Sequence, residues 1–301
     1  MIELKFNQYI IYKVNRARRS NAVTIKNIGG EELVKKLAIE ALPFGEPETE
    51  VIKVVAINDT LYIATLIMDG DNGFALVLRL PEEYYQHNTL SIGETALKKL
   101  KELKNTKEYP KEIKLNIIKG KLAFTKIEHM AQLVFSLITK QPTIFLGDKR
   151  DIRAILYTFI ECVPSELRMY LTFALPSASF NENVTIVALP PTDRNLKLLA
   201  ENKGKFTVLF LPTKTAFGRY TSPLCEHISE LFARGEAQEI QSLLKKYYDL
   251  AVSSDTLETP ADFAEKNNLH IADSILVQWM RANYFNLELD LGFLEHLLEG
   301  N

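Results

Sequence analysis

Apolar residues along the chain follow two periods, and the change from one to the other divides it. Residues 2–14 form a strand-like run in which apolar residues mix with Lys and Tyr. Gly29-Gly30 breaks the chain. Leu33, Leu37, Ala38 and Ala41 then fall on one face of a helix from Glu31 to Leu42. Pro43-Phe44-Gly45-Glu46-Pro47 ends that helix. Three strand runs follow: EVIKVVAI (50–57), LYIATLIM (61–68) and FALVLRL (74–80). Asn58-Asp59 and Asp69-Gly70-Asp71-Asn72-Gly73 separate them with residues that tolerate positive φ, which predicts an antiparallel meander. Ser91, with Glu94 three residues on, predicts a capping box for a helix through Leu103. Residues 1–128 therefore read as an α+β domain.

The pattern changes near Glu128. A helix near 128–140 leads to a strand at 143–147. A helix at about 150–162 follows, with Ile152, Ile155, Leu156 and Phe159 at helical spacing, Asp148 as N-cap and Asp151 in its first turn. Apolar runs at 171–175, 184–189 and 206–212 read as buried strands, and Ser222-Pro223 opens a helix that Gly235 closes. Strands alternating with helices predict an α/β domain over 129–235. Residues 236–301 read as a helical C-terminal region, with helices from Ile240, from Thr259-Pro260, over 269–284 and over 287–298.

The 301 residues are 47% hydrophobic and 25% charged, with a net charge of −2, the balance of an ordinary globular chain. The N-terminus carries no signal-peptide pattern, and no run reaches the ~20 apolar residues of a membrane helix. The expected location is the cytoplasm. Cys162 and Cys225 lack CxxC spacing and read as buried free thiols.

Recognisable catalytic spacing is missing. GDKRD (147–151) places Lys149 and Arg150 at a helix N-terminus, where an anion is favoured, but one glycine without a following Ser or Thr is not a phosphate loop. It reads as the joint of a βα unit, with Lys149 and Arg150 as candidate anion or partner contacts. Arg16, Arg18 and Arg19 form a second basic candidate. The five histidines, His87, His129, His227, His270 and His296, show no metal-ligand spacing. DGDNG from Asp69 lacks the twelfth-position Glu of a calcium loop, since Leu80 stands there. No metal or other cofactor is expected, and an enzyme is the less favoured reading.

Ten lysines and three glutamates lie between Lys98 and Lys126. This face, or a helix-turn-helix at 259–281, is the basis for the alternative reading, a nucleic-acid-binding regulator.

Val163-Pro164, Leu171-Thr172-Phe173 and Leu189-Pro190-Pro191 follow strand, charged turn and helix in an order that resembles the middle module of the prokaryotic GTPase-associated protein family. Thr172 stands where that family has serine, and the family's N-terminal glycine-histidine element is missing. A meander-bearing domain before an α/β domain is also similar to the longin plus DENN layout of GTPase regulators. The resemblance covers about residues 140–212 and carries no catalytic residue. It implies a non-enzymatic partner of a small GTPase: adaptor, scaffold or exchange factor.

Overall fold

The computed structural model describes residues 1–15, 20–26, 28, 31–42, 49–106, 108–122, 124, 130–140, 142–177, 184–201, 206–213, 215–217, 222–253 and 259–285. The N-terminal strands are β1 (Ile2–Phe6), β2 (Tyr9–Asn15) and β3 (Ser20–Lys26), followed by helix α1 (Glu31–Glu40). The meander is β4 (Glu50–Ile57), β5 (Thr60–Asp69) and β6 (Asn72–Arg79). Helix α2 (Thr89–Leu103), β7 (Ile113–Ile117) and α3 (Met130–Thr139) come next. The second half runs β8 (Thr143–Leu146), α4 (Lys149–Cys162), α5 (Ser165–Arg168), β9 (Phe173–Leu175), β10 (Ile186–Leu189), α6 (Asp193–Glu201), β11 (Thr207–Phe210) and β12 (Thr215–Phe217). Helices α7 (Pro223–Arg234), α8 (Ala237–Ser253), α9 (Pro260–Asn267) and α10 (Ile271–Phe285) follow. The helix expected over 287–298 lies outside the described residues.

Ten strands form one sheet in the order β12-β11-β8-β10-β9-β4-β5-β6-β2-β3. Strands β11, β8, β10 and β9 are parallel, and β4, β5, β6, β2 and β3 are antiparallel. The two halves meet where β4 pairs antiparallel with β9, Ile52 opposite Leu175. The sheet thus runs through the boundary expected near residue 128.

Both faces of the sheet are covered, which is why its strands read as continuous apolar runs. One face packs Ile52, Ile63, Leu76, Phe145, Phe173 and Ile186 into a single core with α2, α3, α4, α7, α8 and α10. On the other face Val34 and Leu37 of α1 cover Val55, Tyr62 and Val77. Leu199 of α6 covers Ile144, Leu146 and Val187 on that side.

Two local expectations are corrected. The run 2–14 is two strands, because the apolar alternation slips by one at Asn7-Gln8. Leu4 and Phe6 precede the slip and Tyr9 and Ile11 follow it, all four in one core. Strand β1 leaves the main sheet and pairs antiparallel with β7, Leu4 opposite Leu115. Helix α2 is capped by Asn88, not Ser91. The Asn88 carboxamide oxygen accepts the Ser91 N–H at 3.3 Å, while its Nδ2 donates to the Tyr157 carbonyl at 3.1 Å and to Glu161 at 2.9 Å. A cap that also ties α2 to α4 has partners far away in sequence, and local capping rules do not register them.

Candidate functional site

At the GDKRD joint, β8 ends at Leu146 and is followed by Gly147, which lies against Leu211; a Cβ there would come within 2.9 Å of that side chain. Asp148 then caps α4, its carboxylate accepting the Arg150 N–H at 2.7 Å, and Asp151 adds a second carboxylate in the first turn. The positive end of the helix is thus already complemented by the chain's own carboxylates.

Lys149 folds back, and its Nζ donates to the Glu50 carbonyl at 3.1 Å. The Glu50 carboxylate meets Lys101 at 2.6 Å, and Arg153 meets Glu94 at 3.6 Å. The hydrogen bond from Lys101 is the main reason Glu50 sits below the ordinary carboxylate range. Desolvation, then Arg153, lowers Lys149. These charges hold β4, α2 and α4 together. Arg150 is exposed and has no ion-pair partner among the described residues. Arg16, Arg18 and Arg19 lie outside the described residues.

The segment carrying the Val163-Pro164 resemblance is organised by Arg168, which is 6% exposed. Its Nε donates to the Val163 carbonyl at 2.8 Å, and its Nη atoms donate to the carbonyls of Gln86 and Glu161. Gln241 of α8 donates to the same Glu161 carbonyl at 2.6 Å. Arg168 therefore fastens the end of α4, the α5 turn and the loop before α2. The sequence signal for it was only the arginine that ends Pro-Ser-Glu-Leu-Arg, before the apolar run.

A cleft of about 360 Å³ opens beside the Asn58-Asp59 turn, lined in part by Asp59, Lys140, Tyr170, Thr172 and Thr185. Lys140 Nζ stands 5.3 Å from the Tyr170 ring centroid, a cation–π distance. The two threonines are committed to each other. The Thr172 N–H donates to Thr185 Oγ1 at 3.1 Å, the Thr185 N–H donates to Thr172 Oγ1 at 2.9 Å, and Thr185 Oγ1 donates to the Thr172 carbonyl at 2.7 Å. They lock β9 to β10.

The lysine-rich stretch is not a uniform basic face. Lys99 meets Glu102 at 2.7 Å and Lys114 meets Glu112 at 3.8 Å. Lys101 is paired with Glu50, and Lys104 meets Asp69 at 3.5 Å, so acidic residues far outside the stretch balance part of it. Helix α10 is buried from Ala272 to Arg281, and over that span it offers no face of the kind a recognition helix presents to a groove. Asp273 accepts the Leu224 N–H at 3.0 Å and joins α10 to the start of α7.

The β1–β7 ribbon presents one face to solvent. Its inner face buries Leu4, Phe6, Ile113 and Leu115. Its outer face carries Glu3 and Lys5 beside Lys114 and Asn116. Continuing the register places Met1, 91% exposed, opposite Ile118, 71% exposed. The following loop, Ile118-Lys119-Gly120-Lys121-Leu122, is exposed throughout and pinned at its centre, where the Gly120 N–H donates to the Tyr157 hydroxyl at 2.6 Å.

The described residues hold no group of three or more His, Cys, Asp or Glu placed to bind a metal ion. No described helix is long and apolar enough to cross a membrane. The fold defines an α+β-class protein with a mixed sheet, an N-terminal antiparallel meander and helices towards the C-terminus. No family model matches the chain, and no curated protein matches it in sequence.

Proposed function

We propose that the chain is a non-enzymatic protein–protein interaction module. Its partner class, by the resemblance carried on Val163-Pro164, Leu171-Thr172-Phe173 and Leu189-Pro190-Pro191, is a small GTPase that it adapts, scaffolds or exchanges. The observation that supports the interaction reading is the apolar end of the β1–β7 ribbon. Met1, Ile2, Ile118 and Leu122 are 91%, 48%, 71% and 40% exposed on one ribbon end and its adjoining loop. Met1 and Ile118 stand opposite each other at the ribbon's end, and an exposed apolar pair there favours cover by another protein. Each side chain buried there contributes at roughly 25 cal/mol per Å² of apolar area removed from water.

The test is affinity capture of the tagged protein from its own cells, with a moderate-salt wash and mass spectrometry of what is retained. A retained small GTPase, followed by a change in its nucleotide-release rate on adding the protein, supports the reading. Retention of nucleic acid alone, lost steeply with added salt, overturns it in favour of the nucleic-acid alternative.

A further inference from the structure

The β1–β7 ribbon has an open hydrogen-bonding edge, and its direction follows from one side chain. The Tyr84 hydroxyl accepts the Lys5 N–H at 3.2 Å and donates to the Lys5 carbonyl at 3.3 Å. Both main-chain groups of Lys5 therefore point away from β7. In an antiparallel pair, residues opposite each other share this alternation. Lys114, opposite Lys5, and Asn116, opposite Glu3, thus turn their N–H and C=O groups away from β1. Nothing in the described structure bonds to them there. Tyr84 blocks the β1 edge at Lys5, while no described residue blocks the β7 edge.

Charge decides what that edge accepts. Lys111, Lys114, Lys119 and Lys121 line β7 and its flanking loops, against Glu108 and Glu112. Glu112 is committed to Lys114 at 3.8 Å. Lys119 and Lys121 have no ion-pair partner among the described residues and alternate with exposed Ile118 and Leu122. The loop is held by Tyr157, so little ordering entropy remains to be lost on docking. A second copy of the chain added β7 to β7 would set these lysine rows against each other, which is unfavourable.

We infer that the β7 edge is a strand-addition site for an extended, acidic segment of a partner protein. The main chain of that segment pairs with Lys114 and Asn116, its carboxylates meet Lys119 and Lys121, and an apolar side chain rests on Ile118. This rests on the interaction reading above for the class of occupant, and it adds the place and the chemistry.

The experiment uses fluorescein-labelled short peptides of alternating Glu and Val, with a Lys/Val peptide and a proline-interrupted Glu/Val peptide as comparisons. Binding is read by fluorescence anisotropy. Asn116→Pro removes an N–H that faces away from the internal ladder, a place where an edge strand tolerates proline. The double variant Lys119→Glu/Lys121→Glu reverses the charge without touching the ladder, and Lys98→Glu is the control at an exposed site elsewhere. Circular dichroism and thermal unfolding establish that each variant folds. The expected result is binding of the Glu/Val peptide alone, weakened roughly tenfold or more by Asn116→Pro and by the double variant, and unchanged by Lys98→Glu. Absence of Glu/Val binding, equal binding of the Lys/Val or interrupted peptide, or full affinity in a folded Asn116→Pro overturns the proposal. A dimer of the native chain that Asn116→Pro dissolves also overturns it, by assigning the edge to a second copy. If Asn116→Pro still captures a small GTPase as the unmodified protein does, the interaction reading stands and this site falls.

Discussion

The Tyr157 hydroxyl accepts the Gly120 N–H at 2.6 Å, and the same ring occupies the space a Gly120 side chain would need. A Cβ there would come within 2.7 Å of Cζ of Tyr157. One aromatic residue on α4 thus sets the position of the loop after β7. Gly120→Ala is expected to push the loop off the ring and to destabilise by about 1–3 kcal/mol. Tyr157→Phe keeps the ring and removes one hydrogen bond, for a loss of about 1 kcal/mol. Urea unfolding of the two variants checks the order. A Gly120→Ala variant as stable as the wild type would show that the ring yields.

Arg168 serves three carbonyls from a nearly fully buried position. Arg168→Ala removes the donor to the Val163 and Gln86 carbonyls, while Gln241 still serves Glu161, and a cost of about 3 kcal/mol is expected. Arg168→Lys is expected to recover only part of it, because an ammonium lacks the fork that reaches three acceptors. Chemical denaturation measures both. Equal stability of the Ala and Lys variants would mean that the lost packing, not the hydrogen bonding, sets the cost.

Gly93 lets α2 lie close on the meander. A Cβ there would meet Ile52 Cγ2 at 2.5 Å. Gly93→Ala is expected to destabilise by about 1–3 kcal/mol, although alanine is the better helix former by about 1 kcal/mol. Ile52→Ala in the same chain should relieve the clash, so the double variant should lose less than the sum of the two. Denaturation of the four-member mutant cycle tests this, and strict additivity would dismiss the contact as the cause.

Burial pushes the thiols of Cys162 and Cys225 from the ordinary range up to about 12. Both are expected to resist iodoacetamide in the native protein at mildly alkaline pH and to react once the chain is unfolded. The linkage has a definite sign. The unfolded chain loses these protons near the ordinary thiol pKa of 9.0 while the folded chain keeps them. The stability they contribute is full below that value and is lost as pH rises towards about 12. A series of urea midpoints across this range measures it. Replacing both cysteines by alanine should flatten the decline.

Much of the fold was legible because its signals are local. The Asn58-Asp59 turn has φ of 49° and 57°, the conformation that Asn and Asp tolerate, and it joins β4 to β5 as expected. Ser222 and Gly235 bracket α7 as read, the glycine at φ 79°. Asp148 caps α4 as read. The reading failed where the deciding partner was distant. Ser91 looked like a cap, but Asn88 answers to Tyr157 and Glu161 on another helix.

Lys149 and Arg150 show the same division for the candidate site. Adjacent in the chain, they read as one basic pair, yet the fold turns Lys149 to the Glu50 carbonyl and leaves Arg150 exposed. The lysines from Lys98 to Lys126 read as a single face, but Glu50 and Asp69 come from other elements to pair with Lys101 and Lys104.

Period, turn residues and caps act within a few positions, so the sequence by itself determined most of the helices, the central strands and the antiparallel meander, but not β3, β7, α6 or β12. Only the tertiary structure decided that β4 joins β9 into one sheet, that β1 leaves to pair with β7, and which edge of that ribbon stays open. Those outcomes depend on pairing between segments as far apart as Lys5 and Lys114, and such contacts leave no periodic trace in either segment.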